Sequence, residues 1–154
     1  MRKVITMLLI FISLQNITAQ ARLGDSFDEI KEEFSQYGIK ETICDDGLNA
    51  LSFKIQELTV IYYFDKYDIC TNTLVSTTNK NVAQQIRNHY NKNYIIVDNY
   101  TWKVTENLTV AYITSYYDKV LGYIFVWNYE SSELWLQEHV LAENTNSLQV
   151  LIKE

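Results

Sequence analysis

The stretch Phe53-Lys54-Ile55-Gln56-Glu57-Leu58-Thr59-Val60-Ile61-Tyr62 decides the fold that the sequence predicts, because it recurs later in the chain. With one inserted residue it becomes Trp102-Lys103-Val104-Thr105-Glu106-Asn107-Leu108-Thr109-Val110-Ala111-Tyr112. Each copy continues into an aromatic-Asp-Lys turn, at residues 64–66 and at residues 117–119. Self-similarity at a spacing of about fifty residues is typical of a repeated supersecondary unit. We therefore expect two tandem copies of one unit.

Each copy is predicted to contain three strands. Apolar and polar residues alternate over 51–56 and again over 100–105, which is the period of a half-buried strand. The segments after these are rich in Thr, Val, Ile and Tyr, which suit a pleated surface. Third strands are expected near 68–76 and 120–129.

A helix is predicted to open each copy. The segment Gly24-Asp25-Ser26 offers capping residues for a helix in which Phe27, Ile30 and Phe34 recur at helical spacing, and Asn79 or Asn81 can cap the next one. The predicted fold class is α+β: two tandem helix-plus-three-strand repeats forming one antiparallel sheet with the helices packed on one face, plus a C-terminal helix. The expected single domain spans 21–154, with repeats at about 24–77 and 78–129 and an extension at 130–154.

The first predicted helix begins Leu23-Gly24-Asp25-Ser26-Phe27-Asp28-Glu29-Ile30. This is similar to the Gly-x-[Ser/Thr]-x-x-Glu-[Val/Ile] helix start of the β-lactamase-inhibitor-protein-like proteins. Together with the tandem helix-plus-sheet pattern, it makes the chain resemble these small exported bacterial proteins. The resemblance implies a binding or inhibitory module without an active site of its own.

Residues 1–20 are predicted to be a signal peptide. Met1-Arg2-Lys3 is positively charged, residues 4–12 are apolar, and Ala19-Gln20-Ala21 offers small residues for cleavage after Ala19 or Ala21. The apolar segment is far shorter than the roughly 20 residues that span a bilayer. We expect a periplasmic or secreted protein of a Gram-negative bacterium, with no membrane insertion after cleavage.

The charge of the chain bears on its partners. Two of its thirteen bases lie in the predicted signal, so the mature part has eleven bases against nineteen acids and a net charge of −8. An acidic surface repels phosphate backbones, which excludes nucleic acid as the expected partner. The predicted partner is another exported or envelope protein, and the oligomeric state is left open.

Cys44 and Cys70 are the two cysteines of the chain. In an oxidising compartment their simplest interpretation is one disulfide. The competing interpretation is a reactive thiol, with Cys70 as nucleophile and His89 as its base.

The remaining chemistry predicts no catalytic residue, no metal and no cofactor, and hence no enzyme. The two histidines, His89 and His139, lie on separate predicted helices without other metal ligands at a suitable spacing. The segments Asp45-Asp46-Gly47 and Asp65 to Asp68 could attract calcium, but both are typical of turns.

Aromatic residues are the one enriched class, with twelve Tyr, six Phe and three Trp. A sheet with helices on one side leaves its other face open, and Tyr on such a face suits protein recognition. The function predicted is a non-catalytic protein-interaction module, and the alternative is a small-ligand or glycan-binding protein that uses exposed aromatics. The non-functional alternative is that this face is an ordinary solvated surface or is covered by residues 131–154. A one-residue slip in the strand register would also exchange the two faces of the sheet. The predicted binding residues are Lys54, Ile61, Tyr63, Lys103, Ile113 and Tyr117.

Overall fold

A computed structural model describes residues 21–106 and 109–129, which form one eight-stranded antiparallel sheet and two α-helices. In chain order the elements are α1 (Phe27–Glu33), a short 3₁₀ helix (Ser35–Tyr37), β1 (Lys40–Ile43), β2 (Asn49–Ile55), β3 (Leu58–Phe64), β4 (Cys70–Thr77), α2 (Lys80–Asn93), β5 (Ile95–Ile96), β6 (Thr101–Glu106), β7 (Thr109–Asp118) and β8 (Gly122–Asn128). The strand order across the sheet is β1-β2-β3-β4-β8-β7-β6-β5. The strands β1 and β5 are therefore its two edges.

The predicted fold class, with two tandem helix-plus-three-strand repeats, is wrong. In the described residues four strands, not three, follow each helix, and all eight join one sheet in which β4 pairs directly with β8. The expected three strands per unit left out β1, because Lys40-Glu41-Thr42-Ile43 lacks the alternation that marks a half-buried strand. The predicted signal peptide and the predicted C-terminal helix both lie outside the described residues.

Helix α1 begins where its capping residue predicts. The Ser26 backbone N–H donates to Glu29 Oε2 at 2.9 Å, and the Glu29 backbone N–H donates to Ser26 Oγ at 3.4 Å. This reciprocal pair is a capping box. Hydrogen bonds from Ser26 hold the pKa of Glu29 below its usual value. The helix then buries Ile30, and Phe34 at its end, against the sheet.

The start of helix α2 is hydrogen-bonded to the turn between β2 and β3. The side chain of Asn79 accepts a hydrogen bond from the Asn81 backbone N–H at 2.8 Å, which caps the helix. Its Nδ2 also donates to the Glu57 carboxylate at 2.9 Å and 3.0 Å. Asn79 therefore both caps α2 and ties the start of the helix to this turn.

Both helices pack into the same apolar cluster on one face of the sheet, which we call the helix side. Phe34 stacks on Phe53 with 4.8 Å between ring centroids. On the other half, the ring of Tyr90 meets Trp102 at 5.4 Å and Trp127 at 5.7 Å. Trp127 Nε1 donates to the Tyr90 hydroxyl at 3.2 Å, so these two buried polar groups satisfy one another.

The centre of the sheet requires a glycine at the start of β8. Gly122 has a φ of +80°, and a Cβ there would lie 2.4 Å from the Thr77 carbonyl oxygen. A side chain would therefore separate the ends of β4 and β8.

Candidate protein-binding edge of the sheet

The predicted binding residues do not lie together. Lys54 is exposed and Tyr63 is half-buried, and both lie on the face opposite the helices, which we call the helix-free side. Ile61 lies on the same side but is 0 % exposed, because it belongs to a buried apolar cluster there. From the first half of the chain, only Lys54 and Tyr63 therefore reach the surface.

In the second half, the residue inserted in the hairpin changes which residues share a face. Trp102 pairs with Ile113, and Lys103 pairs with Tyr112. Ile113 therefore joins Trp102 in the helix-side core and is 0 % exposed, whereas Lys103 lies half-buried on the helix-free side. Tyr117 is 62 % exposed at the end of β7, where its ring contacts that of Tyr123.

The helix-free side has a second apolar cluster at its centre. Its buried members are Ala50, Ile61, Leu74, Leu121, Ile124 and Val126. Cys44, Tyr63 and Tyr116 pack against this cluster. Burial is the main cause that raises the pKa values of both tyrosines. The centre of this face is therefore core, not a continuous binding surface.

The predicted disulfide is not formed. Cys44 packs into the helix-free cluster, whereas Cys70 is buried in the helix-side cluster, so the sheet itself lies between the two sulfurs. Burial raises the pKa of the Cys70 thiol to about 12, which keeps it protonated at neutral pH. A protonated and fully buried thiol is a poor nucleophile, so the geometry gives no support to catalysis by Cys70 with His89 as base.

The largest group of exposed apolar side chains lies at the β5 edge. Among the described residues, nine large hydrophobic side chains are exposed, and four of them fall within residues 95–100. Ile95 is 62 % exposed, Ile96 57 %, Val97 54 % and Tyr100 56 %. We call these four residues the β5 patch. Contiguous exposed apolar residues of this kind mark interaction sites more often than isolated ones do.

The backbone of β5 is oriented for pairing with another strand. The Val97 N–H donates to the Thr101 carbonyl at 2.9 Å, which fixes the hydrogen-bonding phase of the β5–β6 ladder. Ile95 pairs with Lys103 and Ile96 pairs with Trp102. Because hydrogen-bonded pairs alternate along an antiparallel ladder, the N–H and C=O of Ile96 point away from β6. The outer edge of the sheet thus offers one donor and one acceptor between exposed apolar side chains.

The loop after β5 is held in place by several contacts. The Tyr100 N–H donates to Asp98 Oδ1 at 2.7 Å, and the Ser115 N–H donates to the Tyr100 carbonyl at 2.8 Å. The Arg87 guanidinium lies 5.3 Å from the centroid of the Tyr100 ring and donates to Ser115 Oγ at 3.0 Å. The β5 patch is therefore presented by an ordered turn, which lowers the entropy cost of binding.

Sequence reasoning missed this patch, although a signal for it was present. Residues 95–97 are Ile-Ile-Val, a short apolar run that follows directly after α2 without polar alternation. Such a run is equally compatible with a buried strand. Only the position of β5 at the end of the strand order shows that these side chains are exposed.

Neither a metal site nor a membrane-spanning helix occurs in residues 21–106 and 109–129. In that part of the chain no three His, Cys, Asp or Glu side chains are grouped so as to hold a metal ion. The helices described there are too short or too polar to cross a bilayer. Burial, and then the charge of Lys92, lowers the pKa of His89, the one histidine in the described part of the chain.

No family model, curated protein or solved structure matches this chain. The resemblance to β-lactamase-inhibitor-protein-like proteins therefore stays a prediction from the sequence.

Proposed function

We propose that the protein is an exported, non-catalytic protein-interaction module that binds a strand of a protein partner along β5. One observation carries this proposal: Ile96 directs its backbone N–H and C=O outward between exposed apolar side chains. Addition of a strand to an exposed sheet edge is a common mode of protein recognition. In that mode the main chain supplies hydrogen bonds and the alternating side chains supply specificity.

The β5 patch also explains what kind of partner fits. Ile96 lies on the helix side with Trp102, and Ile95 lies on the helix-free side with Lys103. An added strand would therefore contact apolar side chains on both of its faces. A partner segment with β-branched or aromatic residues on both faces satisfies this arrangement.

Site-specific photo-cross-linking tests the proposal. A benzophenone amino acid replaces Ile96 in the full-length protein, which is expressed in a Gram-negative host and irradiated in intact cells. We expect covalent adducts with protein, identified by mass spectrometry. The matched control replaces Ile43, an isoleucine that is 71 % exposed on the other edge strand.

The outcome depends on the contrast between the two positions. Adducts from position 96 but not from position 43 support strand addition at β5. Equal adducts from both positions, or none from position 96, would overturn the proposal. Glycan binding that is unaffected by the change at Ile96 would instead support the alternative of a glycan-binding protein.

Export is part of the proposal and has its own test. The sequence places a cleavage site after Ala19 or Ala21. We expect the protein recovered from the periplasm or the medium to begin at residue 20 or 22. Recovery of the uncleaved chain from the cytoplasm alone would contradict export.

A further inference from the structure

We infer that the strand bound along β5 is the β5 strand of a second copy of this chain, so that two sheets join into one across a two-fold axis. This inference rests on the proposed function and names its partner. It follows from the self-complementary backbone of β5, from the charges at its two ends and from the different chemistry of the β1 edge.

The backbone of β5 is complementary to itself. Ile96 offers both its N–H and its C=O to the outer edge. A two-fold axis beside Ile96 lets each copy donate to and accept from Ile96 of the other copy. The two residues then form a hydrogen-bonded antiparallel pair with about 5.5 Å between their Cα atoms. Closed two-fold symmetry of this type is the commonest arrangement of homo-oligomers.

The side chains of β5 match across the same axis. With Ile96 opposite Ile96 of the second copy, Ile95 lies opposite Val97 of the second copy, and Val97 lies opposite Ile95 of the second copy. These residues are 62 % and 54 % exposed in the single chain. Their contact would remove β-branched apolar surface from water on the helix-free side.

The charges at the two ends of β5 favour the antiparallel arrangement. Lys92 lies just before β5, near the end of α2, and Asp98 lies just after it. A two-fold axis reverses the strand direction, so the basic end of one copy lies near the acidic end of the other. A parallel arrangement would instead bring like charges together.

The β1 edge is a poor alternative partner for β5. Its outer strand includes the exposed, charged residues Lys40 and Glu41, and Glu41 is paired with Lys31 at 2.8 Å. Pairing of β1 with β5 of the next copy would bury those charges against Ile95 or Ile96. It would also be a head-to-tail contact that generates open chains of molecules instead of a closed dimer.

The interface is small, so the dimer should be weak. β5 has two residues, and only the flanking positions Val97 and Tyr100 add exposed apolar area. Contacts well below the standard interface size belong to transient complexes. We expect a dissociation constant in or above the micromolar range.

Sedimentation equilibrium of the purified exported protein tests the inference over a concentration series that reaches about 1 mM, a range chosen for weak interfaces. We expect the average mass to rise from one copy towards two. Ile96→Pro removes the outward N–H without removing a donor of the β5–β6 ladder, so it should raise the dissociation constant at least tenfold. Ile43→Pro on the β1 edge is the matched control and should leave association unchanged.

Folding of the variants is checked by thermal melting followed by circular dichroism. If Ile96→Pro fails to fold, Ile95→Lys takes its place, because a lysine there would oppose Val97 of the second copy. Association of either folded variant at the parent affinity would overturn the inference. A parent protein that stays monomeric at about 1 mM would do the same.

Disulfide trapping tests the two-fold geometry directly. Ile96→Cys, in a Cys44→Ser background, should form a covalent dimer under mild oxidation, since a Cα separation of about 5.5 Å suits a disulfide. Ile43→Cys in the same background should not. Preferential trapping between positions 43 and 96 in a mixture would show head-to-tail pairing and overturn the two-fold arrangement.

These results separate the inference from the proposed function. A monomeric purified protein whose position 96 still cross-links to a different protein in cells overturns only the second copy as partner. Absence of any adduct from position 96 overturns the proposed function, and the inference with it.

Discussion

The two edges of the sheet differ in how they meet solvent. The β1 edge presents Lys40 and Glu41, and Glu41 is paired with Lys31 of α1 at 2.8 Å. The β5 edge presents Ile95 and Ile96, both more than half exposed. Natural sheets protect their edges with charge because an unpaired edge invites another strand. Among the described residues, β1 follows this pattern at Lys40 and Glu41, although its last residue Ile43 is 71 % exposed, whereas β5 has no charged residue.

The strands next to the two edge strands, β2 and β6, are alike in that each buries side chains in the helix-side cluster. Leu51 on β2 and Trp102 on β6 are both buried in the helix-side cluster, at 0 % and 1 % exposure. Each edge strand therefore pairs with a neighbouring strand that has side chains buried in the core. The contrast is confined to the outermost strands, where we expect a substitution to change recognition with little effect on stability.

The largest effect is expected where the β5 edge meets the core. Trp102→Ala removes a buried ring and the hydrogen bond from its Nε1 to Asn91 Oδ1 at 2.8 Å. We expect a loss of about 3–5 kcal/mol in the free energy of unfolding, measured by urea denaturation. Leu51→Ala behind the β1 edge should cost about 2–5 kcal/mol. A loss below about 1 kcal/mol for either would show that the strand behind that edge is not part of the core.

The next prediction removes the contrast between the edges. Lys40→Ile together with Glu41→Ile makes the β1 edge apolar, like β5. Each molecule would then have two apolar edges that can pair with other molecules. Head-to-tail contacts between such edges form open chains of molecules and not a closed dimer. We expect dynamic light scattering to show assemblies much larger than a dimer, increasing with concentration. Lys40→Arg with Glu41→Asp is the matched control, and assembly of that variant would contradict the role of the charges.

Thiol labelling distinguishes the margin of the sheet from its interior. Cys44 follows β1 and is half-buried, whereas Cys70 is 0 % exposed and burial raises its pKa to about 12. We expect Cys44 to react with iodoacetamide at least tenfold faster than Cys70 at pH 8, because the thiolate is the reacting form. Peptide mass spectrometry measures both rates. Reaction of neither thiol until a reductant is added would show that a disulfide exists after all.

The smallest effect is expected at the cap of α1, the helix from which Lys31 reaches the β1 edge. Ser26→Ala should cost about 1 kcal/mol at pH 7, and Ser26→Asp should keep most of the stability. Because the folded-state pKa of Glu29 is lowered, its contribution is present above the ordinary value of 4.5 and is lost as the pH falls through the folded value. The difference between Ser26→Ala and the parent should therefore narrow in acid, as thermal melts at several pH values will show. A difference that widens in acid would contradict the capping box.

The sequence predicted the local features that a few neighbouring residues determine. Both helix starts were confirmed, since Ser26 caps α1 and Asn79 caps α2. The alternation over 51–56 correctly identified a strand, and it placed Phe53 on the helix side. These features depend on hydrogen bonds and periodicity within a few residues, which a sequence displays directly.

Features that depend on the whole sheet were not predictable in this way. The strand β1 is Lys40-Glu41-Thr42-Ile43 and is exposed on both faces, so it lacks the alternation that marks a half-buried strand. Ile113 was assigned to the wrong face because one inserted residue shifts the pairing of β7 with β6. The exposure of Ile95 and Ile96 follows from strand order, which no local pattern encodes.

The pairing of β4 with β8 has a consequence for how the chain folds. The other strand pairings in the described part of the chain join strands that follow one another directly, whereas β4 and β8 bring Asn72 beside Asn128. Local hairpins close quickly, but a contact between distant residues first pays a larger loss of chain entropy. We therefore expect strands β1–β4 and strands β5–β8 to form two separate antiparallel units early, and the two units to pair with each other late. Until they meet, β4 and β8 are themselves unpaired edges, and a newly made chain is then most exposed to misassociation.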